Sequence, residues 1–425
     1  MENRYKKTVL SNGLRILTVP MKNTQTVTVV VMVSVGSRYE SEKEAGLSHF
    51  IEHMFFKGTQ KRPTFLDISS TLDSIGGEFN AFTGKEITGY YVKVDYKHAE
   101  LALDVVSDIF LDSKIDAAEI EKEKGTIIQE INMYEDSPMN NIGNIFERLL
   151  YQGSSLGRDT IGNKKTVNAF KRRDFIRYMN KSYIASDSVV CVAGNFDEKK
   201  LYPKIEKYFF MMKKGKKPRL DKIREKQVKP QIKIHFKKTD QTHLVIGNRA
   251  YHQNHKDRFA LGLLSVILGG SMSSRLFSEV REKRGLAYYV RTETEAHKDC
   301  GYIATQAGVE HKNLENTIDV ILAECKKISK QKVSFQELKK AKDYIKGKSV
   351  MNFESSDEVA MFHINQEVHK RKIMTLPEIF KKIDKVTEAD VLKVAKDIFT
   401  NSKLDLAVIG PHKDEKKLQK LLTLS

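Results

Sequence analysis

Five residues, His49-Phe50-Ile51-Glu52-His53, carry the clearest chemistry in the chain. Histidines at i and i+4 fall on one face of a helix, where their imidazoles can share a metal ion. Glu52 stands a turn beside them and can take a proton from a metal-bound water, as metal-assisted hydrolysis requires. The surrounding pattern is helical: Ser41 opens it, Glu42 and Glu44 suit a first turn, and Leu47, Phe50, Ile51 and Met54 supply an apolar face. Those apolar neighbours would also suit two histidines satisfied inside a core, so the pentad needs partners before it is a site.

A hydrolytic zinc centre takes three protein ligands and leaves one position open. Residues 119–131 offer two candidates for the third ligand, Glu123 and Glu130. They are seven apart and so on one side of a single helix, with Ile120, Ile127 and Ile131 on its buried side. Glu121 and Lys124 read as a solvated charged face, a description less suited to Glu130 between Ile128 and Ile131.

The elements that must position these groups occur twice. Residues 174–178, 183–194 and 197–201 run as a helix, a buried strand closed by glycine and a new helix; residues 390–394, 404–410 and 414–418 repeat that order. The pentapeptide Asp-Glu-Lys-Lys-Leu begins at Asp197 and again at Asp414, 217 positions later. Likewise the strand pattern of residues 90–94 precedes a helical one at 99–110, and that of 301–309 precedes one at 314–322. The periodicities predict an α+β fold with two homologous domains from an internal duplication, each a mainly antiparallel sheet packed with helices. The expected domains are residues 1–212 and 231–425. Between them lies a basic linker, 213–230, with eight lysines and arginines from Lys213 to Lys226. The counterpart of the pentad, residues 260–270, contains no metal ligand, so the first copy carries the metal and the second must contribute something else.

Composition narrows the class. At 425 residues the chain exceeds one ordinary core, and its hydrophobic content of 40% suits a soluble globular protein. No apolar run approaches the roughly 18 residues of a membrane span, and the polar first ten residues lack the apolar core of a secretory signal. Cys191, Cys300 and Cys325 are widely separated and fit no zinc or redox spacing; they read as buried or free thiols, which suits a cytoplasmic location. The formal charge of +18 is spread along the chain without a nucleic-acid motif, so neither nucleic acid nor membrane is an expected partner.

A His-x-x-Glu-His pentad followed, after 76 intervening residues, by Glu130 resembles the pitrilysin and insulinase family of zinc peptidases, the inverted zincins. The similarity extends over nearly the whole chain and is nearest to bacterial members of this length and to the mitochondrial processing peptidase subunits. It implies that His49, His53 and Glu130 bind one Zn2+ per chain, that Glu52 is the catalytic base, and that Glu123 orients a ligand from behind. Residues 76–83 read as a Gly-Gly turn into an edge strand. The resemblance implies that an extended substrate pairs there with Asn80 and Ala81 beside the scissile bond, although an ordinary sheet edge would look the same. Arg281 and Tyr288, seven apart, resemble a family pair that would hold a substrate carbonyl and donate to the developing oxyanion. A capping arginine and a packed tyrosine are the plain structural alternative.

The implied protein is a zinc endopeptidase that hydrolyses short unfolded peptides or presequence-like segments in an enclosed chamber. The chain would form half of a clamshell, and carrying both motifs in one chain favours a homodimer. The rival is a non-catalytic peptide-binding or chaperone-like protein on the same scaffold, whose mark would be a broken pentad or a missing Glu130; neither is seen.

Overall fold

Runs of β-branched residues build two sheets. The first contains β1 (Lys6–Val9), β2 (Arg15–Pro20), β3 (Thr26–Val33), β4 (Glu78–Thr83), β5 (Thr88–Asp95) and β6 (Ser188–Gly194), in the order β1-β2-β6-β3-β5-β4. Only β2 and β6 pair in parallel; the other neighbours are antiparallel. The valine-rich β3 and β6 are buried along almost their whole length, as strands covered on both faces must be. The second sheet contains β7 (Gln231–Phe236), β8 (Thr242–Ala250), β9 (Ala287–Ala296), β10 (Gly301–Val309) and β11 (Leu404–Gly410), in the order β7-β11-β8-β10-β9. It too has one parallel pair, β7 with β11, followed by antiparallel neighbours. Apart from β1, the two orders correspond strand for strand, so the duplication read from the sequence is present in the topology.

This computed structural model describes residues 5–216, 218–370 and 372–424. Residues 1–4 of the polar N-terminal segment, Lys217 of the linker and the last residue of the second expected domain lie outside the described residues. No helix among the described residues is long and apolar enough to cross a membrane. The three cysteines are buried, and no disulfide joins them among the described residues.

Helices cover the sheets, but not in the contiguous blocks expected from the repeat. One compact unit comprises Met1–Ile131, Arg158–Asp221 and Lys348–Thr375; the other comprises Asn132–Gly157, Lys222–Gly347 and Leu376–Ser425. The expected boundaries at 212 and 231 therefore differ from this partition, because each half gives one helical segment to the other unit. In the first unit, Val359, Ala360, Ile364 and Val368 of the helix Ser356–Lys370 pack on Leu17, Val30, Met32 and Cys191. Ser356 Oγ also meets Thr26 and Thr28 hydroxyls at 2.8 Å, and Arg15 pairs with fully buried Glu367 at 3.1 Å. In the second unit, Ile142, Ile145, Phe146 and Leu150 pack on Val245, Ala407 and Ile409. An apolar sheet face needs cover, and local pattern does not say which sheet a given amphipathic helix will cover.

Candidate metal centre

The pentad lies on α1 (Leu47–Phe55), held against the first sheet by Leu47, Phe50, Ile51, Met54 and Phe55, all fully buried. Phe50 meets Phe175 edge to face at 4.9 Å, and Phe55 stacks on Tyr90 of β5 at 4.8 Å. The start of this helix differs from the sequence expectation. Ser41 caps a separate 3-10 turn, Glu42–Glu44, and α1 begins only after Gly46, whose φ of 96° breaks the helical path. A side chain at Gly46 would meet the Ile161 carbonyl at 2.5 Å, so the backbone passes too closely for any other residue. The first amides of α1 are satisfied from a distance: buried Glu40 accepts from Gly46 N at 2.8 Å and from Ser48 N at 2.6 Å. Burial pushes the Glu40 carboxyl up to about 7, against the pull of these bonds and of Arg158.

Glu123 and Glu130 come from one helix. After α2 (Phe65–Asp73) and α3 (Ala99–Leu111), α4 (Ala117–Asp136) buries Ile120, Glu123, Ile127 and Ile131 as one stripe. A carboxylate within such a stripe requires a partner, and Glu123 has two. Its Oε1 lies 2.8 Å from His53 Nδ1 and its Oε2 lies 2.6 Å from Lys57 Nζ. One helical turns-pair later, Glu130 places its two oxygens 3.5 Å from His49 Nε2 and 3.5 Å from His53 Nε2.

One ligand atom from each of His49, His53 and Glu130 lies within 4.8 Å of the others. Two imidazole nitrogens and one carboxylate oxygen are a zinc donor set. Bonds of about 2.0–2.1 Å in tetrahedral geometry would separate the ligand atoms by roughly 3.3 Å, close to the 3.5 Å between each histidine Nε2 and a Glu130 oxygen. Charge favours a cation as well. Burial alone would lower the His53 pKa, but hydrogen bonds and charge from Glu123 and Glu130 outweigh it and push it up to about 9. Burial raises Glu130, yet His49 and His53 prevail and hold it at about 2. Glu123 is lowered too, with His53 and Lys57 overcoming burial. The carboxylates that raise His53 are the negative charge that a bound cation would neutralise.

Glu52 and His53 open onto a cleft of about 260 Å³, together with Phe56, Phe79, Asn80 and Ala81. Asn80 and Ala81 lie on β4, at the edge of the first sheet, where among the described residues only β5 pairs with it. Thus His49, His53, Glu130, Glu123, Glu52, Asn80 and Ala81 are gathered in one unit. Arg281 and Tyr288 belong to the other. Arg281 sits on a π-helical turn, Phe277–Glu282, and Tyr288 near the start of β9. The Arg281 guanidinium lies 5.8 Å from the Tyr288 ring centre and 4.9 Å from that of Phe277. Tyr288 is 76% exposed, so it is not the packed core tyrosine of the structural alternative.

Two residues at the centre escaped the sequence reading. Lys57 follows His53 by four positions, a spacing that could have placed it on the same helical face. Thr83, the last residue of β4, donates from Oγ1 to Glu52 Oε2 at 2.5 Å, and no local pattern signals that contact.

Comparison with known proteins identifies the family. The family model for insulinase, peptidase family M16, matches residues 15–164, and that for the peptidase M16 inactive domain matches residues 169–345. A Streptomyces coelicolor protein named as an uncharacterised zinc protease is 34% identical over 416 residues, covering 96% of this chain and 90% of that one. The uncharacterised zinc protease YmxG of Bacillus subtilis is 34% identical over 407 residues, covering 96% and 98%. Among solved structures, a protease from Helicobacter pylori superposes with a TM-score of 0.90 at 23% identity, over 96% of this chain and 100% of that one. A Pseudomonas fluorescens protein described as a peptidase M16 inactive domain reaches 0.87 at 18% identity, over 96% and 99%. The structures establish the shared fold, and the two family models match successive parts of the chain, with the pentad in the first. The chain therefore belongs to the pitrilysin and insulinase family of peptidases, family M16.

Proposed function

We propose that this protein is a zinc-dependent endopeptidase acting on short unfolded peptides. The observation that carries the reading is the convergence of His49, His53 and Glu130 within 4.8 Å, beside a cleft shared by Glu52 and the β4 edge. His49, His53 and Glu130 would hold the zinc, one ion per chain. When bound, the metal supplies a Lewis acid that polarises the peptide carbonyl and acidifies the attacking water. Glu52 takes the proton of that water on its carboxylate and returns it to the leaving amine. Glu123 accepts from His53 Nδ1–H and so directs Nε2 toward Glu130. The edge of β4 away from β5, unpaired among the described residues, offers main-chain donors and acceptors to an extended peptide with little regard for its sequence. The relatives named as zinc proteases support this reading, and the complete set of three ligands and a base disfavours a binding protein that has lost turnover.

Glu52→Gln tests it, because the amide keeps the shape of the carboxylate but cannot act as a base. Elemental analysis should find about one zinc in both wild type and variant. Peptide cleavage by the variant should be about 10²- to 10⁴-fold slower. A wild type that binds no divalent metal, or a variant that cleaves as fast as wild type, would refute the proposal.

A further inference from the structure

Glu52 is held by a residue of the strand to which the substrate is assigned. Thr83 ends β4, and in a strand it shares a face with Phe79 and Ala81, two residues that line the cleft. Its hydroxyl donates to Glu52 Oε2 at 2.5 Å, a bond to a carboxylate and therefore among the stronger kinds. The strand is fixed in register: Ala81 lies opposite Tyr90 and Thr83 opposite Thr88. Tyr90 is fully buried beneath Phe55 of α1, so strand and helix share one packed layer. The hydroxyls of Tyr90 and Tyr183 are 3.4 Å apart and near enough to feel the charge of Glu52. Among the described residues, however, Thr83 is the donor that bonds it.

We propose that Thr83 is a positioning residue for the catalytic base. Its hydroxyl fixes one carboxylate oxygen of Glu52 and leaves the other for the proton of the attacking water. Because the same short strand carries Asn80 and Ala81, base and scissile bond share one mount, and their separation is set by three residues of β4 rather than by loop geometry. This rests on the peptidase reading above. Glu52 has three rotatable side-chain bonds; without the lock it would sample orientations in which the proton lies out of reach, and a misplacement near 1 Å can cost about 100-fold in rate.

The test compares full-length, zinc-loaded wild type, Thr83→Val, Thr83→Ser, Glu52→Gln and the Glu52→Gln/Thr83→Val double variant on one quenched fluorescent peptide. Valine keeps the shape of threonine and deletes the hydroxyl. It should lower kcat about 10- to 100-fold with KM within about twofold and with zinc content and melting temperature unchanged. Serine restores the donor and should recover most of the rate. In the double variant the valine should have no further effect, because the hydroxyl acts only through Glu52. A Thr83→Val kcat within about twofold of wild type would overturn the proposal. So would loss of zinc or of stability, which would make the role structural, or a further drop on top of Glu52→Gln. If wild type fails to cleave, or Glu52→Gln is as active as wild type, the peptidase reading itself fails and this inference falls with it. That outcome is distinct from an active, Glu52-dependent enzyme that is indifferent to Thr83.

Discussion

Removing the Glu123 carboxylate should weaken zinc binding while leaving the first unit folded. Glu123 is 5% exposed and bridges His53 Nδ1 at 2.8 Å and Lys57 Nζ at 2.6 Å. A hydrogen bond to a charged partner contributes about 1.5–3 kcal/mol, and every 1.4 kcal/mol is about tenfold in affinity. Glu123→Ala is therefore expected to raise the zinc Kd by about 10- to 100-fold, the usual effect of losing the partner of a metal-bound imidazole. The effect should not be masked by redundancy, because His49 Nδ1 is buried with no hydrogen-bond partner among the described residues. Lys57 is still partly exposed and would be left hydrated, so the helix should survive. Glu123→Gln should lose less: its amide oxygen can still accept from Nδ1–H, although its NH2 would then face Lys57. Glu121→Ala is the control, an exposed carboxylate on the same helix paired with Lys124 at 2.7 Å. Competition against a coloured chelator gives the affinities, and circular dichroism checks the fold. A Glu123→Ala Kd within about threefold of wild type, with helix content intact, would refute the claim that this bond orients His53.

Gly46→Ala should destabilise the first unit by about 2 kcal/mol or more, since alanine pays about 1–2 kcal/mol at a φ of 96° and its Cβ would lie 2.5 Å from the Ile161 carbonyl. Urea denaturation measures this, and a loss below about 0.5 kcal/mol would contradict the proposed close approach. Asp405→Asn addresses pH dependence in the second unit. Burial pushes the Asp405 carboxyl from 3.8 up to about 7, against the pull of Arg249 and Gln227. Its folded pKa lies above its unfolded value, so below about pH 4 it costs nothing, and stability falls as pH rises through about 7 and is then level. Roughly three units at 1.36 kcal/mol each set a ceiling of about 4 kcal/mol. Asparagine cannot ionise, so the stability difference between variant and wild type should grow from pH 5 to pH 8; parallel pH profiles would count against it.

Much of the candidate site was legible because its parts are local. The i and i+4 histidines, Glu52 between them, and the seven-residue spacing of Glu123 and Glu130 are all consequences of helical periodicity, and α1 and α4 bear that periodicity out. The Gly-Gly turn before β4 likewise marked an edge strand, which is where the topology puts it. What periodicity could not show is how these elements meet. Spacing left both Glu123 and Glu130 open as third ligand and the family resemblance favoured Glu130; the facing helix adds that one carboxylate lies against Nδ1 of His53 and the other against Nε2. The helix start was misread at Ser41 because a 3-10 turn carries the same capping signature as a longer helix.

Taken alone, the sequence determined the pentad, the internal duplication and the α+β class, since each is a pattern of spacing and the backbone periods of 3.6 and 2 convert spacing directly into faces. Tertiary structure alone decided that Glu40 caps α1, that Lys57 stands behind Glu123, that Thr83 holds Glu52, and that residues 132–157 and 348–375 exchange units. Those contacts join residues far apart in the chain, and they exist only where packed apolar faces fix two backbones close enough for a short polar bond to form.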